Sequence, residues 1–129
     1  MLLLDTHAMV WLASDLTKLP RTARDTIRAH AGELLISGIS GLEIALAVKR
    51  GRLKLPVSPD EFMVVSLKQH GIREIPVSAT LGCLAARLPD IHNDPFDRII
   101  IATAQQHRAK ILSKDTLMAR YPDLDVVWG

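Results

Sequence analysis

The sequence predicts an α/β domain in which a mostly parallel sheet of five strands is covered by helices on both faces. Short apolar runs of the kind found in buried parallel strands recur at residues 2–4, 34–36, 72–75, 110–112 and 126–128. Longer segments with helical periodicity separate most of these runs, and alternating strands and helices form right-handed crossovers around a parallel sheet. With 129 residues, of which 48% are hydrophobic, residues 1–129 are predicted to form a single domain.

Helices are predicted where a proline or a capping residue opens a segment, or where a glycine closes it. The predicted helices begin near residue 7 and then span about 21–30, 42–50, 60–69, 79–87 and 95–107. Gly51 and Gly71 end the third and fourth helices, and Ser78 caps the fifth. Asp94 caps the last helix, and Pro95 takes its first position, where a missing N–H is harmless.

Composition and charge limit the class of protein only broadly. A net charge of +2 and a pI near 8.9 permit nucleic acid as a partner. The chain is nevertheless much less basic than a protein dedicated to coating nucleic acid. The single cysteine, Cys83, excludes an internal disulfide and is expected to be a small buried residue in a reducing compartment. The sequence shows no signal peptide and no apolar run of about 20 residues, so a cytoplasmic protein with no membrane partner is expected.

Four acidic residues stand at the ends of predicted strands or the starts of predicted helices: Asp5, Glu43, Asp97 and Asp115. Helix capping is a sufficient explanation for each of them alone. Glu43 follows Ser40 with the spacing of a capping box, and Asp97 stands in the same relation to Asp94. In a parallel sheet, however, the carboxyl ends of all strands lie at one edge, where open α/β sheets bind ligands. All four acids are therefore predicted to face one rim.

Carboxylates that converge in this way repel one another. Four of them within about 5 Å repel by roughly 3 kcal/mol per pair at an effective dielectric near 20, which sums to the scale of a whole domain's stability. Raised pKa values or a divalent cation must relieve this repulsion. Oxygen ligands without paired histidines or cysteines favour Mg²⁺ or Mn²⁺ over Zn²⁺. Such an ion activates water for attack on a phosphodiester, so phosphodiester hydrolysis is predicted.

Basic residues near these acids are candidate contacts for substrate phosphates: Arg98, Lys49, Arg50 and Arg52. A solvated helix end is an equally good explanation for the cluster at 49–52. Trp11 and Trp128 are better explained by packing than by base stacking, since aromatic residues make up only 4% of the chain. The histidines lack metal-ligand spacing and are assigned no role.

Four segments resemble the PIN-domain ribonucleases, and within them the VapC-type toxins of bacterial toxin–antitoxin pairs. These segments are residues 3–7, the helix of Glu43, residues 94–104 with their Asp-Pro-Phe-Asp-Arg start, and residues 112–115. The resemblance implies a three-layer α/β/α domain, an acidic Mg²⁺ or Mn²⁺ site and endoribonuclease activity on RNA. It also implies a homodimer and a cognate antitoxin protein that holds the toxin inactive.

Carried over residue by residue, the family's four acids fall on Asp5, Glu43, Asp97 and Asp115. Supporting positions fall on Asp94, Thr6 and Ser113. The Thr6 and Ser113 hydroxyls would hold carboxylates or metal-bound water, while Asp94 would either reach the metal through water or only cap its helix. Two alternatives within the fold stay open: a weak or inactive RNA- or partner-binding module, and a housekeeping RNA-processing nuclease.

One other enzyme class and one other domain class fit poorly. A serine hydrolase is disfavoured because Leu42 stands where a nucleophile elbow around Ser40 needs glycine. A phospho-receiver domain is disfavoured because no aspartate lies between Asp25 and Asp60.

Overall fold

The structure is a computed structural model that describes all of residues 1–129. Five strands form one sheet in the order β3-β2-β1-β4-β5, and every pairing is parallel. The strands are β1 (Leu2–Leu4), β2 (Leu34–Ser37), β3 (Ile72–Ile75), β4 (Lys110–Leu112) and β5 (Val126–Val127). The helices are α1 (Thr6–Ser14), α2 (Arg21–Ala29), α3 (Ile39–Lys49), α4 (Pro59–His70), α5 (Ala79–Ala86) and α6 (Pro95–His107). Two short 3₁₀ helices complete the chain, Leu16–Lys18 and Thr116–Arg120.

The two faces of the sheet carry separate helical layers, as the predicted α/β/α fold requires. Leu2 and Leu4 of β1 belong to a core shared with α1, α2, α3 and α4. Leu3 points to the opposite face and packs with α6, while α5 lies against the outer side of α6. Successive side chains of a strand point to opposite faces of the sheet, so the apolar residues of β1 contribute to both cores. No helix has the length and hydropathy needed to cross a bilayer.

The strand order creates a crevice at the carboxyl edge of the sheet. From β1 the chain builds outward through β2 to β3, and it then returns to place β4 on the other side of β1. The backbone N–H of Asp5 donates to the carbonyl of Leu112 at 3.0 Å, so these two strand ends stay side by side. Open parallel sheets bind ligands where the strand order reverses in this way.

The start of α3 differs from the sequence prediction. The helix begins at Ile39 rather than near residue 42; its N-cap is Gly38, and the Ser37 hydroxyl accepts the Ile39 N–H at 3.2 Å. Ser40 therefore lies buried in the first helical turn and caps nothing, so a capping box does not explain Glu43.

The prediction of a buried Cys83 is also wrong, because its side chain is exposed. Helix α5 packs through Leu81 and Ala85, which are four residues apart and share one face. Cys83 lies midway between them and faces away.

Candidate metal centre

An acidic pocket of about 470 Å³ opens in the crevice between β1 and β4. Its charged lining consists of Asp5, Glu43, Asp94, Asp97, Lys114 and Asp115. Asp5 follows β1, Glu43 lies in the first half of α3, Asp97 lies in the first turn of α6, and Asp115 follows β4. The structure thus brings together the four acids that the sequence placed at one rim.

Ser113 links two of these acids. Its hydroxyl donates to Asp5 Oδ2 at 2.7 Å and accepts the backbone N–H of Asp115 at 3.1 Å. The other oxygen of Asp5, Oδ1, accepts the Thr6 N–H at 2.7 Å and caps α1. Asp5 therefore caps a helix and lines the pocket with the same carboxylate, so the two explanations offered by the sequence are compatible.

Glu43 carries a buried oxygen without a partner. Its Oε1 atom is inaccessible to solvent and makes no hydrogen bond, which is costly for a carboxylate. Burial raises the pKa of Glu43 above its ordinary value, the charges of Asp5 and Asp94 raise it further, and the Thr6 hydroxyl opposes them. The Thr6 hydroxyl also lies 2.7 Å from that of Ser40, so a buried polar pair lies behind the pocket.

Asp97 shows the largest perturbation in the pocket. Burial first, and then the charges of Asp94 and Asp5, raise the pKa of Asp97 from 3.8 to about 7. Asp94 itself is exposed and caps α6 by accepting the Phe96 N–H at 2.9 Å. Asp94 therefore acts on the pocket through its charge while it starts the helix that carries Asp97.

His92, to which the sequence assigned no role, contacts Asp115 directly. Its Nε2 lies 2.7 Å from Asp115 Oδ2, and its Nδ1 lies 2.8 Å from the hydroxyl of Tyr121. That hydroxyl accepts the backbone N–H of His92 at 3.0 Å, which leaves its own proton free to go to Nδ1. This arrangement places the ring proton on Nε2, where it is donated to Asp115.

The donor set fits a divalent cation. Ligand atoms of His92, Asp97 and Asp115 lie within 4.8 Å of one another, but both ring nitrogens of His92 are already hydrogen-bonded. Asp97 and Asp115 are therefore the members of this group that could share one ion, with His92 behind Asp115. The unpartnered oxygen of Glu43 and the raised pKa of Asp97 are both features that a bound cation would relieve. Ligands that are mainly carboxylate oxygens suit Mg²⁺ or Mn²⁺.

Arg98 does not serve as the phosphate contact that the sequence predicted. A guanidinium has five N–H donors, and here each donates to a main-chain carbonyl. The acceptors, 2.8–3.2 Å away, are the carbonyls of Ala85, Ala86, Leu88, Pro89 and His92. No donor is left for RNA, so Arg98 instead holds the segment that leads to His92.

Of the other three predicted phosphate contacts, the two arginines line a cavity and the lysine does not. Arg50 and Arg52 line a second cavity of about 420 Å³, together with Lys18. Lys49 lines neither this cavity nor the acidic pocket. Lys114 lines the acidic pocket, although the sequence did not single it out.

The sequence model of the PIN domain matches residues 2–124, so the chain belongs to the PIN-domain family. It is 31% identical over 129 residues to ribonuclease VapC22 of Mycobacterium tuberculosis, covering 98% of this chain and 97% of that protein. Two similar solved structures are VapBC2 from Rickettsia felis bound to a DNA fragment from its promoter and a toxin–antitoxin complex from Klebsiella pneumoniae. The first has a TM-score of 0.72 at 19% identity and covers 99% of this chain and 98% of the other. The second has a TM-score of 0.66 at 24% identity, and the match covers 98% of this chain and 96% of the other.

Proposed function

We propose that this protein is a divalent-metal-dependent endoribonuclease and the toxin of a type II toxin–antitoxin pair. The observation that carries the proposal is the convergence of four carboxylates in one pocket, with a buried Glu43 oxygen that lacks a partner. Membership of the PIN-domain family and likeness to a protein named as a ribonuclease support the same activity.

Asp5, Glu43, Asp97 and Asp115 would hold Mg²⁺ or Mn²⁺ in this pocket. A bound divalent ion supplies Lewis acidity, which activates water and stabilises the charge that develops on a phosphodiester. The chain's own part is to fix the ligands: Ser113 holds Asp5, and His92 holds Asp115. Asp97 must lose its proton to act as a ligand, so its raised pKa makes cation binding stronger as pH rises.

RNA and an antitoxin are the proposed partners. The similar structures are complexes of toxins with antitoxins, and this supports a protein inhibitor for the present chain. Lys114 in the pocket and the cations of the neighbouring cavity supply positive charge for an RNA backbone. A homodimer is proposed from the family resemblance alone.

The test incubates the purified protein, freed of any antitoxin, with mixed cellular RNA and Mg²⁺ or Mn²⁺. Cleavage is expected in the wild type, and it should stop with EDTA and in Asp97→Asn. Asp60→Asn is the matched control, because Asp60 is an exposed first-turn aspartate of α4 away from the pocket. RNA cleavage that persists both in EDTA and in Asp97→Asn would contradict the metal site.

Growth measurements separate a toxin from a housekeeping nuclease. Expression of the wild type is expected to arrest growth, and co-expression of a small adjoining gene's product should restore it. Asp97→Asn should leave growth unaffected. Normal growth with a cleavage-competent protein would favour the housekeeping alternative.

A further inference from the structure

Trp11 lines both the acidic pocket and the second cavity. Its side chain is half-buried, and His7, Glu43 and Asp94 line both spaces with it. The buried part of Trp11 packs on the core beneath α1. The packing that the sequence predicted for this residue is therefore present, but it accounts only for the buried part of the ring.

A second indole stands beside it. The ring of Trp128 lines the acidic pocket, with its centroid 5.7 Å from that of Trp11 and the two planes inclined by 52°. His7, which is exposed, approaches Trp11 from the same helix at 5.9 Å. The lining of this acidic pocket thus includes two neighbouring indole rings and the ring of His7.

Two exposed lysines flank the Trp11 ring. Lys18 Nζ lies 6.0 Å from the ring centroid, and Lys114 Nζ lies 5.9 Å from it. Neither ammonium forms an ion pair, even though Lys114 shares its pocket with carboxylates. Each ammonium lies over the indole, so a cation–π contact accounts for its position in the free protein. Both side chains are exposed, and a nucleic-acid strand passing over the ring would offer them phosphates as partners.

We propose that Trp11 stacks one unpaired RNA base beside the phosphodiester that is cut, with Trp128 as the second wall and Lys18 and Lys114 on the flanking phosphates. The strand then continues into the second cavity, toward Arg50 and Arg52. This inference rests on the proposed function and assigns a base-stacking subsite to its RNA-binding surface. A duplex is disfavoured because a paired base offers no free face to the indole.

Intrinsic fluorescence tests the stacking directly. The chain has only two tryptophans, so Trp128→Phe leaves Trp11 as the single indole. In a Trp128→Phe, Asp97→Asn protein, a short unpaired oligoribonucleotide is expected to quench this emission. An oligomer of the same length with abasic residues, which keeps the phosphates, should not. Equal quenching by both oligomers would overturn the proposal.

Affinity provides the second measurement. Trp11→Leu in the Asp97→Asn background should weaken RNA binding by roughly 5- to 100-fold, the usual effect of losing one stacked base. Trp11→Phe should stay within a few-fold of the parent, which separates stacking from a folding defect. Lys18→Gln and Lys114→Gln should each lower the salt slope of binding by about 0.7, while exposed Lys68→Gln on α4 should leave it unchanged.

The results distinguish this subsite from the nuclease activity itself. If the wild type cuts RNA but Trp11→Leu binds it as tightly as the parent, the stacking site is overturned and the nuclease stands. If Trp11→Leu loses affinity only for the antitoxin, the site is likewise overturned, in favour of a protein contact. If base-dependent quenching occurs in a protein whose wild type cuts no RNA, the subsite is supported and the proposed activity fails.

Discussion

His92 Nε2 lies 2.7 Å from Asp115 Oδ2, and this contact orients the carboxylate that closes the acidic pocket. The second oxygen of Asp115 accepts the Leu117 N–H at 2.9 Å, so both oxygens are fixed. In many metal sites a carboxylate orients a ligating histidine from behind. In the proposed metal site the order would be reversed, because His92 is buried and Asp115, which it contacts, lines the pocket.

Replacement of His92 should therefore weaken metal binding. His92→Ala is expected to lower Mn²⁺ affinity by about 10- to 100-fold, the usual effect of losing a partner that orients a ligand. Titration calorimetry measures this without RNA. His107→Ala is the matched control, since His107 bonds only the Thr103 carbonyl within α6. Unchanged Mn²⁺ affinity in His92→Ala would show that Asp115 needs no support.

Tyr121→Phe should have a smaller effect in the same direction. The ring that stacks on His92 is kept, but the hydroxyl that fixes the proton on Nε2 is lost. Mn²⁺ affinity is expected to fall by less than in His92→Ala. A Tyr121→Phe protein that loses as much affinity as His92→Ala would place the main effect on the hydroxyl.

The pKa of Asp97 predicts an unusual dependence of stability on pH. In the metal-free protein the folded-state pKa is about 7 against an ordinary 3.8, so the folded state holds an extra proton between these values. The free energy of unfolding should therefore fall as pH rises through this window and level off above it. Urea unfolding in EDTA at pH 5 and pH 8 measures the change.

Asp97→Asn should remove this pH dependence. At pH 8 it should exceed the metal-free wild type in stability by on the order of 2 kcal/mol, after allowance for solvent screening. Asp60→Asn, on the exposed start of α4, should keep the slope of the wild type. A wild-type protein that gains stability from pH 5 to pH 8 would contradict the raised pKa.

Glu43→Gln should separate stability from metal binding. The neutral amide removes a buried, unpartnered charge, so metal-free stability at pH 8 should rise by about 1 to 2 kcal/mol. The increase in melting temperature that Mn²⁺ gives the wild type should disappear. Thermal melts with and without Mn²⁺ measure both effects. Exposed Glu61→Gln is the control, and it should retain the Mn²⁺ response.

Arg98→Lys tests whether this side chain binds the protein or the substrate. A lysine ammonium has three donors and lacks the planar, forked geometry of the guanidinium, so it cannot make all five hydrogen bonds to the carbonyls. The free energy of unfolding should therefore fall by about 2 to 4 kcal/mol. Chemical denaturation measures the loss, with exposed Arg87→Lys as the control. Unchanged stability together with weaker RNA binding would restore the phosphate contact first expected from the sequence.

The convergence of Asp5 and Asp97 could be predicted because it depends on topology alone. Alternating strands and helices fix a parallel sheet, and a parallel sheet gathers its strand ends at one edge. The start of α6 could also be predicted, because Asp94 as a cap and Pro95 at the first helical position act through local geometry. The helix begins at Pro95, as predicted. These features need no knowledge of loop paths.

The contact of His92 with Asp115 could not be predicted in this way. The two residues lie 23 positions apart, and His92 belongs to a loop whose path is set by the bonds of Arg98 to main-chain carbonyls. No periodicity marks such bonds in a sequence. The start of α3 was missed for a related reason, because its N-cap is Gly38 without a side-chain capping bond, and Ser40 is used instead in a contact with Thr6 across the chain.

The bond between Ser113 and Asp5 spans 108 positions of the chain, and this separation sets when the pocket can exist. Strand β1 lies at the centre of the sheet, but its neighbour β4 is synthesised only after β2, β3 and all six helices. The bond cannot form before β4 has been made, and closing so long a loop carries an entropic cost. A growing chain on the ribosome therefore carries Asp5, Glu43 and Asp97 without the partners that complete their site. For a protein that cuts RNA, this delay separates the making of the enzyme from the onset of its activity.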